Sequence, residues 1–250
     1  MIYNKDFREL IMVLKNKINL IITSPPYSLN KEYDGYTDNM KNTEYYEVLI
    51  KDFFIFARSV LKEDGRICLN MPMKNTVTNR WDIINVPLIA DEHGFAIKNI
   101  IVWNKKNIPK RTAWGSWLKP SAPNIIEPFE LIYVFYKKEN GWKLKHTGTS
   151  TITKEDFITC TNAIWEFPAE TSKEIISQHP TPFPIELPRR CIEMFSYKED
   201  VILDPFAGTG TTVIASLMTG RKVYAIEQSE KYYDIMTKRA NNYIHGGLNE

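Results

Sequence analysis

Short runs of β-branched and apolar residues punctuate the chain at Leu20–Thr23, Ile67–Leu69, Ile100–Trp103, Leu131–Phe135, Val201–Leu203 and Val223–Ile226. Continuous rather than alternating hydrophobicity over so few residues predicts strands buried on both faces. Segments with three- and four-residue spacing lie between them. From Thr43 to Leu61, the residues Tyr46, Leu49, Ile50, Phe53, Phe54, Ala57, Val60 and Leu61 share one helical stripe, with Thr43 as N-cap and Gly65 as stop. A second helix is predicted over Ile185–Phe195, with Pro184 near its first turn. A third spans Thr211–Met218 and is closed by Gly220. A fourth spans Ser229–Tyr243, where Ser229 caps, Glu230 lies in the first turn and Lys238 and Arg239 lie near the end, as the helix dipole favours. Strands alternating with helices predict an α/β fold with a mostly parallel central sheet covered on both faces. Such sheets carry their sites at the carboxyl ends of strands.

Composition narrows the class. With 250 residues, 43% hydrophobic and 25% charged, the chain suits one large soluble domain, or a core with an inserted lobe. The formal net charge is only +2, so any nucleic-acid contact must come from a local patch. Cys68, Cys160 and Cys191 are far apart and form no C-x-x-C pair, which argues for buried reduced thiols rather than disulfides or zinc ligands. No repeat stands out and no apolar run approaches the ~20 residues that span a bilayer. Met1-Ile2-Tyr3-Asn4-Lys5-Asp6 lacks the apolar stretch of a secretory signal, so the expected compartment is the cytoplasm.

Two strand ends carry candidate chemistry. The first reads Thr23-Ser24-Pro25-Pro26-Tyr27. Two prolines stop the strand, remove backbone donors and fix the direction of nearby carbonyls. A hydroxyl before them and an aromatic ring after them suit a planar ring bearing an amino group: Ser24 Oγ and the Pro25 carbonyl can accept the amino hydrogens, and Tyr27 can stack. A rigid turn with a packed tyrosine fits these five residues equally well. The second strand end reads Asp204-Pro205-Phe206-Ala207-Gly208-Thr209-Gly210-Thr211-Thr212 and opens a helix. Gly208 and Gly210 permit close backbone approach, and the helix start offers free N–H groups. A phosphate-binding P-loop is set aside because Thr211, not lysine, follows Gly210. A dinucleotide fingerprint is weakened by Val213, where it needs a third small residue. Glu227 ends the next strand, placed either to take both ribose hydroxyls or to face the helix that begins near Ser229.

Together these motifs resemble those of the DNA amino-methyltransferases. The first is similar to their catalytic D/N/S-P-P-Y motif, in the S-P-P-Y form of the N4-cytosine enzymes; the N6-adenine enzymes more often carry Asp where Ser24 stands. The second is similar to their S-adenosylmethionine loop. Gln178-His179-Pro180-Thr181-Pro182-Phe183-Pro184 resembles the family motif that holds the methionine portion, and Asp6 in Asn4-Lys5-Asp6 stands where relatives carry a Gly-Asp contact to the adenine end. With the catalytic motif first and the cofactor loop last, the order resembles the β arrangement of the family, from Asn4 to about Tyr243.

The resemblance implies a Rossmann-like S-adenosylmethionine-dependent methyltransferase fold with an inserted target-recognition region. Its parts are a catalytic half (1–106), a recognition region (107–177) and a cofactor-binding half (178–250). Ser24, Pro25, Pro26 and Tyr27 form the implied catalytic set. The implied cofactor contacts are Asp6, Thr23, His179, Thr181 and Pro182, then Asp204, Pro205, Phe206, Gly208, Gly210, Thr211 and Thr212, and finally Glu227. S-adenosyl-L-methionine is the implied donor, S-adenosyl-L-homocysteine the product, and no metal is implied.

The stretch Ile97–Ile126 holds six basic and no acidic residues, with Trp103, Trp114 and Trp117 interleaved. Lys105, Lys106, Lys110, Arg111 and Lys119 are the expected DNA contacts, although without the motifs a solvated loop with packed tryptophans would serve as well. The loop Ser28–Asn42, with Tyr33 and Tyr36, is placed to close over a base flipped out of duplex DNA. No cysteine nucleophile is expected, and no P-C dipeptide occurs. The family further implies restriction–modification, a separately acting endonuclease, and a monomer or homodimer. Three alternatives remain: an N6-adenine enzyme, a catalytically idle DNA-binding module of the same fold, and a nicotinamide-dependent oxidoreductase.

Overall fold

The structure, a computed structural model, describes residues 1–27, 32–33, 36–37, 43–73, 82–106, 115–125, 127–172 and 182–246. The strands are β1 (Ile2–Asn4), β2 (Ile18–Thr23), β3 (Glu32–Tyr33), β4 (Tyr36–Thr37), β5 (Leu61–Met71), β6 (Phe95–Asn104), β7 (Phe129–Lys137), β8 (Ile164–Glu166), β9 (Val201–Asp204) and β10 (Lys222–Glu227). The helices are α1 (Ile11–Leu14), α2 (Thr43–Val60), α3 (Asp82–Glu92), α4 (Lys154–Cys160), α5 (Glu186–Phe195), α6 (Thr211–Met218) and α7 (Glu230–Gly246). Strands β3 and β4 pair with each other, and the other eight form one sheet in the order β1-β10-β9-β2-β5-β7-β6-β8. Only β7 runs antiparallel to both of its neighbours.

The unbroken hydrophobicity of the strands follows from their two covered faces. Ile21, Ile67, Leu69, Tyr133, Phe135 and Leu203 point into one core layer with α1, α2 and α3. Their neighbours Leu20, Ile22, Cys68, Ile132, Val134 and Ile202 point into the other, with α5 and Ala215 of α6. Alternate residues of a strand face opposite sides, so both sets must be apolar.

All six sequence-predicted strands form, several longer than their apolar runs. Helices α5, α6 and α7 match their predictions closely, with Ser229 Oγ accepting from Tyr232 N at 3.3 Å and Gly220 at φ 72 just past α6. The proposed stop at Gly65 is corrected. Helix α2 ends at Val60, and Gly65 lies inside β5. The last carbonyls of α2 need no glycine cap, because Asn16 N and Lys17 N donate to Ser59 O and Val60 O, each at 3.0 Å. The described residues of the stretch 107–177 supply β7 and β8 to the sheet, and Asp156 of α4 pairs with Arg189 of α5. Cys68, Cys160 and Cys191 are free and buried, as expected. Among the described residues, no helix is long and apolar enough to cross a membrane.

The segment after β7 is held down by His146. Its Nδ1 lies 2.9 Å from Asp64 Oδ2 on β5, and its Nε2 lies 3.1 Å from Asp200 Oδ1 before β9. Burial opposes the imidazolium, but hydrogen bonds and attraction from both carboxylates outweigh it and raise its pKa above the ordinary value. A raised folded-state pKa stabilises fully below the unfolded value, ~6.5, and the gain is lost as pH rises through the folded value. Thermal unfolding of His146→Ala against wild type should therefore show a loss of about 1 kcal/mol at pH 6 that shrinks by pH 9. An equal loss at both pH values would contradict a charged clasp.

Candidate active site

The strand order places the chemistry. From β9 the chain passes outward to β10, while from β2 it passes the other way to β5, so β2 and β9 flank the point where the winding reverses. At such a point the connections leave on opposite faces and a crevice opens at the carboxyl ends. The sequence-predicted motifs follow these two adjacent strands, whose register pairs Leu20 with Ile202 and Ile21 with Leu203.

Asp204 joins the two strand ends. It is 1% exposed. Its Oδ1 accepts from Thr23 Oγ1 at 2.6 Å and from Phe206 N at 3.1 Å, and its Oδ2 accepts from Thr212 Oγ1 at 2.6 Å. Burial pushes its pKa up to about 6 against the opposing pull of these three donors. One carboxylate thus ties the end of β2, the loop after β9 and the first turn of α6.

The loop then crosses to β10. Ala207 N donates to Ile226 O at 3.0 Å, and Gly208 N donates to Glu227 Oε2 at 2.8 Å. Glu227 Oε1 accepts from Ser229 N at 2.8 Å. Burial raises the Glu227 pKa, opposed by these backbone N–H groups. Gly210 precedes α6 at φ 86, ψ 29, where a Cβ would lie 2.7 Å from Met236 Cγ, so the position requires glycine both for angle and for room. Asp6 lies just past β1 and caps the turn Phe7–Leu10, its carboxylate bonded to Arg8 N, Nε and Nη2. It shares the sheet edge with Glu227, since Asn4 pairs with Glu227. Pro182 is half-buried before α5, whereas His179 and Thr181 lie outside the described residues.

Beyond β2, Ser24 Oγ is hydrogen-bonded to the Tyr27 hydroxyl. That hydroxyl also donates toward Asn70 O at 3.0 Å and accepts from Asn70 Nδ2 at 2.9 Å. Asn70 Nδ2 donates to Glu130 Oε2 at 2.6 Å, and Glu130 is paired with Lys105. Sequence reasoning missed Asn70 and Glu130. Two signals were available: one amide inside the apolar run of β5, and an acid at the start of β7.

The basic stretch divides. Trp103 is buried, stacked on Phe167 at 5.3 Å, and its Nε1 donates to Phe167 O at 3.0 Å. Lys105 is paired with Glu130 and stays partly exposed. Lys106 pairs with Glu166 at 3.0 Å with half its side chain exposed, and Lys119 is exposed beside Trp117 and Leu118. Lys110, Arg111 and Trp114 lie outside the described residues, as do the side chains of Tyr33 and Tyr36. Among the described residues, no group of three or more His, Cys, Asp or Glu could hold a metal ion.

Comparison with known proteins gives the family. Residues 18–238 match the family model for DNA methylases of the N6/N4 type. The Type II methyltransferase M.MjaVI of Methanocaldococcus jannaschii is 42% identical over 177 residues, which cover 70% of this chain and 89% of that one. M2.MboI of Moraxella bovis, also a Type II methyltransferase, is 30% identical over 245 residues, covering 90% and 81%. TTHA0409 of Thermus thermophilus, solved complexed with S-adenosyl-L-methionine, superposes with a TM-score of 0.75 at 25% identity, covering 98% of this chain and 94% of that one. The cytosine-N4-specific PvuII DNA methyltransferase shares the fold at a TM-score of 0.71 and 20% identity, covering 95% and 85%. S-adenosyl-L-methionine is the cofactor. The chain belongs to the DNA methylase family.

Proposed function

We propose that this protein methylates the exocyclic N4 of cytosine in duplex DNA, within a restriction–modification system. The observation that carries the reading is the Ser24–Tyr27 hydrogen bond at the end of β2, one strand from the glycine-bearing loop after β9. Serine rather than an acid before Pro25-Pro26-Tyr27 supports cytosine over adenine. The Type II relatives support the restriction–modification setting.

The loop residues fit the cofactor. Each Glu227 carboxylate oxygen takes one backbone N–H, which leaves lone pairs for ribose hydroxyls. Gly208 and Gly210 keep the loop clear of side chains, and Pro205, Phe206 and Thr211 border it. Thr23 and Thr212 each donate to Asp204, so the part of these three is to set the loop. Asp6, Pro182, His179 and Thr181 complete the proposed cofactor set. Bound S-adenosyl-L-methionine supplies an electrophilic methyl group on a sulfonium and leaves as S-adenosyl-L-homocysteine.

The target amine lies inside the base stack, so the base must be flipped out, at a cost of a few kcal/mol. Ser24 Oγ and the Pro25 carbonyl accept its two hydrogens and draw its lone pair out of conjugation. Pro26 fixes the direction of that carbonyl, and Tyr27, anchored through its hydroxyl, gives the pocket a fixed wall. Alignment then supplies much of the rate. The amine becomes acidic only after it gains the methyl group, so a water molecule suffices as proton acceptor. Lys106 and Lys119, with Lys110 and Arg111, are the proposed phosphate contacts.

Incubation with duplex DNA and methyl-labelled S-adenosyl-L-methionine, followed by digestion to nucleosides, should place the label in N4-methylcytosine. Label in N6-methyladenine would overturn the choice of base and keep the reaction. In Ser24→Ala the labelling should fall about a hundredfold or more while calorimetry finds cofactor binding intact; a variant that cannot bind cofactor would refute the pocket role of Ser24. Gly210→Ala should do the reverse, weakening cofactor binding and costing about 1–2 kcal/mol of stability because of its left-handed backbone. Unchanged affinity in that variant would argue against this loop as the cofactor site.

A further inference from the structure

The polar chain that ends on Ser24 begins at an ion pair some distance along the sheet edge. Lys105 follows β6, Glu130 is the second residue of the antiparallel β7, and Asn70 lies near the end of β5. The register brings them together: Asn70 is opposite Ile132 on β7, and Glu130 is opposite Trp103 on β6.

A carboxylate can only accept hydrogen bonds, so Asn70 must turn its nitrogen, not its oxygen, to Glu130. The two hydrogens of that nitrogen then serve Glu130 Oε2 at 2.6 Å and the Tyr27 oxygen at 2.9 Å. Among the described residues no other bond fixes the amide, since Asn70 Oδ1 is buried with no hydrogen-bond partner there. Glu130 Oε2 also lies 3.5 Å from the Tyr27 hydroxyl. The orientation of Asn70, and through it the position of the phenol, therefore depends on a charge at Glu130. Lys105 balances that charge, so the pair as a whole is neutral.

Tyr27 has one hydrogen and receives one from Asn70. Asn70 O, Ser24 Oγ and Glu130 Oε2 all lie within reach of its own hydrogen. Whether Ser24 Oγ donates to the phenol or accepts from it, it keeps a lone pair for an incoming N–H. The geometry points to Glu130 as a positioning residue for methyl transfer: with Lys105 as counter-ion, it holds Asn70 and Tyr27 so that Ser24 is aimed at the substrate amine. The inference rests on the amine-methylation reading above and extends it to residues that touch neither cofactor nor base.

Glu130→Gln keeps the shape and removes the charge. A glutamine can offer its own N–H to Asn70 Oδ1, so the amide is free to turn and Tyr27 loses a donor. With DNA and S-adenosyl-L-methionine, kcat should fall about ten- to hundredfold, while KM for DNA and calorimetric affinity for the cofactor stay at wild-type values. Glu130→Asp should recover part of kcat. Asn70→Ala breaks the link but spares the Lys105–Glu130 pair, and should show the same kcat-only loss even if Glu130→Gln does not fold. Wild-type kcat in Asn70→Ala or Glu130→Gln would overturn the inference, and so would a loss of cofactor affinity in proportion to kcat. Failure of the parent reading looks different: the wild-type protein itself would then methylate no amino group of DNA.

Discussion

The carboxylate of Asp204 closes the gap between two strands that the chain reaches 181 residues apart. It receives Thr23 from β2, Thr212 from α6 and the amide of Phe206 from the intervening loop. An acid this buried is expensive unless its oxygens are filled. Three donors fill them, and burial still holds the pKa up at about 6. Because the donors come from three elements, the acid can be satisfied only when all three are in place. The end of β2, from which Ser24 to Tyr27 continue, is thereby fixed relative to the loop that leads to Glu227.

The same edge shows why connectivity and site coincide. Strand β1 pairs with β10, so the start of the chain lies beside its last strand, and Asn4 Nδ2 donates to Glu227 O at 2.9 Å. From there β10, β9, β2 and β5 present Glu227, Asp204, Thr23 and Asn70 in turn along one edge. Strand β7 alone is reversed, and this brings its first residues, Glu130 among them, to the edge where the others end. An acid at the other end of β7 would be at the far side of the sheet.

Much of this was legible in the sequence, for physical reasons that also explain the rest. Buried strands leave continuous apolar runs, and Ile67–Leu69 or Leu131–Phe135 could be little else. The two strand-end motifs were legible because prolines and glycines constrain the backbone wherever they occur. Strands β1 and β8 have three residues each, too few for a period to show. Helix α3 carries Pro87 and leaves Ile84 and Leu88 exposed, so its pattern is blurred. The sequence places Lys105 among the expected DNA contacts, and charge along a sequence does not reveal that it has a partner; Glu130 arrives only when β6 and β7 pair.

In the proposed reaction both sides of the crevice present hydrogen-bond acceptors, one set for the cofactor and one for the base. The cofactor side carries acids whose oxygens are partly filled by backbone donors, as Glu227 is by Gly208 and Ser229. The base side carries acceptors: Ser24 Oγ, the Pro25 carbonyl and, one layer back, the Glu130 carboxylate. An amine that attacks a methyl sulfonium gains positive charge as the bond forms. Acceptors already aimed at its hydrogens stabilise that charge more than they stabilise the neutral amine, which is the condition for lowering the barrier rather than only tightening binding. Such groups help only if they are held still. The hydroxyl of a serine alone rotates freely, and its tie to Tyr27, Asn70 and Glu130 is what turns a mobile acceptor into a preorganised one.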